Sequence, residues 1–388
     1  MRAPPIQNSP ERSPLSKAPL TIANIGSEEG SAWASAKAPP VLKTVSRLWR
    51  RLFEPQRRAF DWLPGDEQLV AWLNTDEALE RAEAAALPLY GAAPEVVKRV
   101  HDKAFVLEIA RREALGPPEL LACILSLESD ELRSPDALEH IDRMLAGWPD
   151  WARQKFILKP RFGTSGRGRA TGTQGRADTP EIRGSLTRLA KRGGAILEPW
   201  LDRIEDLSAQ LIVQPDASLV MLGTTRQIVS GSGVYRGNRG AVDSKGRVVS
   251  ESRWDEALRE AAVTVAQAAA DEGYRGPAGL DSLSYRGFDD GERFRPLLEW
   301  NARFTLGTVA IGLVRQSLPQ VKQRLGLEPG GRCPFYFALD APPAGWPESR
   351  DRLLLVPLWE SGEALRPALV FGADDDALRQ LPSGGPAR

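Results

Sequence analysis

Gly276-Pro277-Ala278-Gly279-Leu280-Asp281 and Leu297-Leu298-Glu299-Trp300-Asn301-Ala302-Arg303, whose glutamate lies eighteen residues after that aspartate, decide how this 388-residue chain is read. Both runs are short and apolar, and they read as parts of two strands, Gly279–Tyr285 and Phe294–Asn301, joined by the turn Gly287-Phe288-Asp289-Asp290-Gly291. Side chains on a strand alternate between faces, so Glu299, Asn301 and Arg303 share one side while Leu298 and Trp300 point into a core. Asp281 on the adjacent strand brings a second carboxylate to that side. Two carboxylates and an amide oxygen form an all-oxygen set that suits Mg²⁺ bridged to phosphates, and Mn²⁺ would fit the same donors. A carboxylate among apolar residues needs a partner, and a cation supplies one. Arg303 can hold a phosphate or a substrate carboxylate bidentately, or it can form a cross-strand salt bridge to Asp281 or Glu299.

Upstream, the strand Lys155–Lys159 ends on a lysine and runs into a loop, Pro160-Arg161-Phe162-Gly163-Thr164-Ser165-Gly166-Arg167-Gly168-Arg169, that continues to Arg176. Gly163 and Gly166 let the backbone approach anionic oxygens, and Ser165 and the arginines add donors and charge. It is not a Walker loop: Arg169 stands where the lysine belongs, and no Ser or Thr follows. A surface turn or an RNA-contacting stretch remains the alternative. The strand Ala195–Trp200 then meets Glu198-Pro199-Trp200-Leu201, where a proline fixes φ and removes a donor, as at a hinge. A glutamate on such a linker offers an acceptor for a base amine beside a backbone N–H for a ring nitrogen. Glu205 and Asp206 follow within reach of a ribose, and the choice between them stays open.

Composition limits the other possibilities. Lys plus Arg and Asp plus Glu number 51 each, so no overall field draws nucleic acid or an anionic membrane. Two cysteines, Cys123 and Cys333, lie far apart without metal-site spacing, and two histidines leave little for imidazole catalysis. No apolar run approaches the roughly 18 residues of a membrane span. A cytoplasmic protein with no membrane and no nucleic-acid partner is expected. Residues 1–44, rich in proline and serine, are expected to be a disordered arm. A helical N-terminal region spans 45–100, with Leu48–Phe53 as a basic amphipathic helix. Residues 101–194 and 195–330 form two α+β subdomains, the first carrying the flap 159–176, and 331–388 a C-terminal extension of strands. The fold class is α+β with antiparallel sheets.

A strand-end lysine, a Gly-rich flap, a Glu-containing hinge and a closing Asp…Glu-x-Asn-x-Arg, in that order, resemble the ATP-grasp superfamily over about residues 95–316. His101-Asp102-Lys103 with Gly116-Pro117 resembles the entry segment of that superfamily, which makes Lys103 a second nucleotide contact. The resemblance implies ATP held between two α+β subdomains. It assigns the phosphates to Lys103, Lys159, Gly163, Ser165 and Gly166, the base to Glu198, Pro199, Trp200 and Leu201, and the ribose to Glu205 or Asp206. Mg²⁺ falls to Asp281, Glu299 and Asn301. The segment Thr224–Gly240 would face the γ-phosphate and the acceptor, where Arg226, Arg236 and Arg239 could neutralise charge or remain solvated. The implied reaction transfers the γ-phosphoryl group to a small-molecule or peptide carboxylate, and an amine acceptor or a thiol then attacks the acyl phosphate. Lys159, Arg236 and Arg303 would serve that chemistry. A kinase that stops after phosphoryl transfer, a non-catalytic nucleotide-binding regulator and a homodimeric assembly stay open.

Overall fold

A computed structural model describes residues 17–25, 38–163, 168–230, 234–342 and 345–379. The apolar-polar-apolar triplet Leu20–Ile22 forms β1, paired in parallel with β2 (Leu69–Ala71). Asn24 fastens the same stretch, donating to Leu73 O at 2.7 Å and accepting from Leu73 N at 3.1 Å. The expected arm 1–44 is therefore corrected here, because a buried strand with open backbone groups recruits even three residues. Residues 1–16 and 26–37 of that arm lie outside the described residues.

From Pro40 the chain is helical. α1 (Pro40–Arg51) opens on its proline and buries Val45, Leu48 and Trp49. Trp49 meets Phe53, Trp72 and Phe304 edge-on at centroid separations of 5.4, 5.8 and 5.3 Å. The basic helix is thus a core element with Arg50 turned outward. Thr75 caps α2 (Asp76–Ala84) by accepting from Ala78 N. α3 (Pro94–His101) and α4 (Lys103–Arg112) meet at Asp102, whose carboxylate accepts from Ala104 N at 2.9 Å and caps α4.

A small layer follows: α5 (Pro118–Leu121), β3 (Leu125–Leu127), α6 (Ser129–Arg133), α7 (Ala137–Ala146), α8 (Asp150–Arg153), β4 (Lys155–Pro160), β5 (Ala170–Thr173), α9 (Pro180–Lys191) and β6 (Ala195–Pro199). Its antiparallel sheet has the order β3-β6-β4-β5. Phe156, Leu158 and Leu197 pack with Ile141, Leu145 and Leu189 of the helices into one core. Alternation sends Ile157, Lys159, Ile196 and Glu198 to the other face.

The large layer contains β7 (Asp202–Val213), β8 (Leu219–Val229), β9 (Tyr235–Asp243), β10 (Val248–Val249), α10 (Asp255–Asp271), β11 (Gly276–Arg286), β12 (Glu292–Asn301), α11 (Leu306–Leu325), β13 (Arg332–Ala338), β14 (Leu353–Pro357), β15 (Ala368–Gly372) and α12 (Asp375–Arg379). These strands make one nine-stranded sheet, β12-β11-β7-β8-β10-β9-β13-β15-β14, antiparallel except between β10 and β8. The mixture is α+β, as the sequence leads one to expect. Two boundaries differ. Residues 331–379 are no separate extension, because β13 continues the large sheet from the edge of β9. The small core begins near Cys123 rather than at residue 101, since Val106, Ile109 and Ala110 of α4 belong to the large core. Segment 235–240 is strand: a Cβ at Gly237 would collide with Phe337 O, so its glycine marks close strand approach.

Trp49→Ala should lower unfolding free energy by about 3–5 kcal/mol in urea denaturation, the usual cost of deleting a buried aromatic. A loss below about 1 kcal/mol would show that α1 contributes little to the core.

Candidate functional site

The two layers face each other across a cleft, and its charged side chains come from both. A pocket of about 340 Å³, open mouth included, is lined by Lys103, Lys159, Glu198 and Arg295 at its polar parts and by Leu107, Ile196 and Leu297 among its apolar walls. Glu198 is only 4% exposed, and one of its oxygens pairs with the Lys159 ammonium. The other accepts from Arg295 Nη2 at 2.8 Å. Burial alone would raise the Glu198 carboxyl, but Arg295 and Lys159 outweigh it and hold it at about 2. Lys159 is pushed down to about 8, chiefly by burial and secondarily by Arg295, against the pull of Glu198. Two cations share one anion, so the group carries one surplus positive charge and suits an anionic ligand.

Lys103 stands at the start of α4, its Nζ 2.9 Å from Glu299 Oε1 and 3.4 Å from the carbonyl oxygens of Arg161 and Gly163. Arg161 grips Asp102 through Nε at 2.9 and 3.0 Å and Glu128 at 2.6 Å. The root of the flap is therefore tied to the cap of α4, beside the lysine that needs placing. His101, buried, accepts from Ala302 N at 3.2 Å through Nδ1, which joins α3 to the turn between Asn301 and Arg303. Burial first, then Arg303 and Lys103, hold its imidazole well below the usual histidine range, so it is neutral.

Asp281 and Glu299 are direct register partners on β11 and β12, and Gly279 opposes Asn301. Asp281 Oδ1 accepts from Ser208 Oγ at 2.8 Å and Gln227 Nε2 at 2.7 Å, and Oδ2 accepts from Asn301 Nδ2 at 3.0 Å. Burial and then the Glu299 charge push its carboxyl up to about 6, against the hydrogen bonds from Ser208 and Asn301 and the Arg303 charge. Gln210, fully buried, supports the row by donating to Ser208 Oγ at 2.7 Å. A Cβ at Gly279 would lie 2.8 Å from Gln210 Oε1, which explains why that motif position is glycine. Among the described residues no cluster of three His, Cys, Asp or Glu side chains could hold a metal. The donor set is two carboxylates and an amide, one of the carboxylates kept from easy ionisation, and it fits a hard divalent cation that takes its other ligands from phosphate.

The other expected residues separate by strand face. Asp206 has the parity of Ser208, and its register partner is Gln227, so it lies on the Asp281 face. Burial raises its carboxyl, opposed by Arg203, 2.8 Å away, and by the Lys159 charge. Glu205 lies on the opposite face, where it accepts from Ser252 Oγ at 2.6 Å and pairs with Arg226 at 3.1 Å. Arg226 and Arg239 are register partners on that same far face, so neither reaches the side on which Asp281 sits. Both expectations are corrected by parity. Arg236 is exposed at the bulge that opens β9. Arg303 Nη1 donates to Phe304 O at 3.0 Å, and its charge acts on Asp281. Pro199 ends β6; Trp200 N donates to Lys155 O at 2.8 Å, with the Lys155 ammonium 4.1 Å from its ring, and Leu201 packs with Leu283 and Ile196 between the layers. The Glu198 carboxylate, expected to meet a base amine, is instead committed to two cations. Ser165 and Gly166 lie outside the described residues. Arg295, Ser208 and Gln227 are additions, and an arginine inside the apolar strand Phe294–Leu298 is the one signal the sequence offers for them.

The sequence matches no protein-family description and no curated protein. The fold is similar to a biotin carboxylase–βγ-ATP complex from Campylobacter jejuni, with TM-score 0.54 and 12% identity over 95% of this chain and 92% of that one. It is also similar to the biotin carboxylase domain of Hydrogenobacter thermophilus 2-oxoglutarate carboxylase with MgADP and bicarbonate, TM-score 0.53 and 13% identity over 96% and 92%. Carboxyaminoimidazole ribonucleotide synthase from Aspergillus clavatus, complexed with ATP, gives TM-score 0.50 and 15% identity over 94% and 96%. The chain has the ATP-grasp fold.

The raised Asp281 carboxyl has a consequence for stability. The folded chain holds that proton more tightly than the unfolded one, so stability falls as pH rises from about 4 to about 6 and stays lower above it. Asp281→Asn should therefore stabilise the protein at pH 7 by about 1–2 kcal/mol and have little effect at pH 4, measured by urea denaturation. A destabilised Asp281→Asn at pH 7 would contradict the assignment of an unfavourable charge.

Proposed function

We propose that the chain is an ATP-dependent, ADP-forming ligase that activates a carboxylate as an acyl phosphate and passes the acyl group to an amine. The observation that carries this reading is the opposition of Asp281 and Glu299 across two strands, beside a pocket whose lysines and arginine outnumber its glutamate. Lys103 and Lys159 bind the nucleotide phosphates. Asp206, on the cleft face, takes the ribose, and the base rests against Leu201 and Leu283 with the hinge backbone at its edge. Asp281, Glu299 and Asn301 hold magnesium, which supplies charge neutralisation at the phosphates.

Arg303 lies past Asn301 on the site side and receives the carboxylate or the transferring phosphoryl group. Its guanidinium stabilises charge that grows during transfer, while the lysines fix the donor in place. No side-chain nucleophile is required, which accords with two buried, free cysteines and a buried neutral His101. Ser208 and Gln227 orient the Asp281 carboxylate and leave its ligating direction defined.

The direct test is ADP release over a panel of carboxylates, with and without amines. Turnover that requires both substrates supports the ligase. A stable phosphorylated product without an amine would replace it with a kinase, and no ADP under any condition would leave only nucleotide binding. Arg303→Ala should lower kcat about a hundredfold, on the order of 3 kcal/mol of barrier, and shift ATP affinity by less than about threefold. Unchanged turnover would make Arg303 a structural residue.

A further inference from the structure

Lys159, Glu198 and Arg295 pose an electrostatic question that the nucleotide role of the lysine does not answer. Lys159 lies in an ion pair with a glutamate that is almost wholly buried. A lysine closed into a neutral buried pair is a poor phosphate ligand, because turning to a phosphate strands the carboxylate, and an uncompensated buried charge is costly. Here the carboxylate has a second cation. Arg295 Nη2 is 2.8 Å from the oxygen that Lys159 does not use, and Arg295 itself is 5% exposed, with Nε 3.3 Å from Leu297 O.

We propose that Arg295 is a positioning residue that shares Glu198 with Lys159 and so keeps the lysine charge available to nucleotide phosphate. This rests on the nucleotide reading above. The guanidinium is suited to the task, since it remains protonated and its fork can hold a carboxylate without a second lysine. Its place in the register supports an indirect role. Arg295 pairs with Leu283, whose partner on β7 is Asp206, whereas Glu299 pairs with Asp281, whose partner is Ser208. Arg295 thus stands in the row beyond the carboxylate pair, away from the metal donors. Lys159 at about 8, lowered by burial and by Arg295 against the pull of Glu198, is consistent with a lysine whose partner is not its own alone.

The test is calorimetric ATP affinity with Mg²⁺ at pH 7 for the wild-type chain, Arg295→Met, Arg295→Lys and the double variant Arg295→Met/Glu198→Gln, with a melting temperature for each. Arg295→Met should weaken ATP binding tenfold or more, and Arg295→Lys should stay within threefold. The double variant removes both charges together, leaves Lys159 no carboxylate to abandon, and should return to within threefold of wild type. It also serves if the single Met variant does not fold. An unchanged affinity in Arg295→Met overturns the proposal, as does a tenfold loss persisting in the double variant, which would make Arg295 a direct nucleotide contact. A wild-type chain that binds no nucleotide overturns the nucleotide reading and this proposal with it.

Discussion

Two carboxylates on adjacent strands, Asp281 and Glu299, face each other as register partners, and like charges so placed repel. Much of the surrounding chain is arranged to tolerate that repulsion. Lys103 neutralises Glu299 from the start of α4, while Ser208, Gln227 and Asn301 donate to Asp281. The residual conflict appears as an Asp281 carboxyl raised to about 6. A fold selected for stability alone would place apolar or oppositely charged residues there, and the proposed metal site gives the unfavourable pair a use.

The rest of the cleft follows from the need to bring charges from separate layers to one place. Lys103 comes with the N-terminal helices, Lys159 and Glu198 with the small sheet, Arg295 and Asp281 with the large one. Asp102 fixes the junction by capping α4 and receiving Arg161 from the flap root. His101 adds a hydrogen bond from the same junction to the end of β12. Leu201 and Leu283 then join the layers in one apolar cluster with Leu107 and Ile196.

What could be read in the sequence was local periodicity. Glu299, Asn301 and Asp281 stand out because strand alternation puts acids on one face of an otherwise apolar pair of segments. Lys159 is visible as a strand end before glycines, and Lys103 through the His101-Asp102-Lys103 entry segment. The choice between Glu205 and Asp206 is not visible, because it depends on which residues of β7 share the sheet face of Asp281. The side taken by Arg226 and Arg239 is hidden for the same reason: in a loop either would be free to reach the phosphates, but their places on β8 and β9 fix their parity. The partners of Glu198 come from Lys159 and from Arg295, 97 residues away, and no local pattern encodes that meeting. β1 escaped because three residues carry too little period to read, although a buried partner strand is enough to order them.

The most direct test of the carboxylate pair is a calorimetric titration of ATP with and without Mg²⁺ into the wild-type chain and into Asp281→Asn/Glu299→Gln. The expected result is wild-type binding at least tenfold tighter with Mg²⁺ than without, and no dependence on Mg²⁺ in the double variant. A double variant that keeps the full Mg²⁺ dependence would show that Asp281 and Glu299 do not hold the cation.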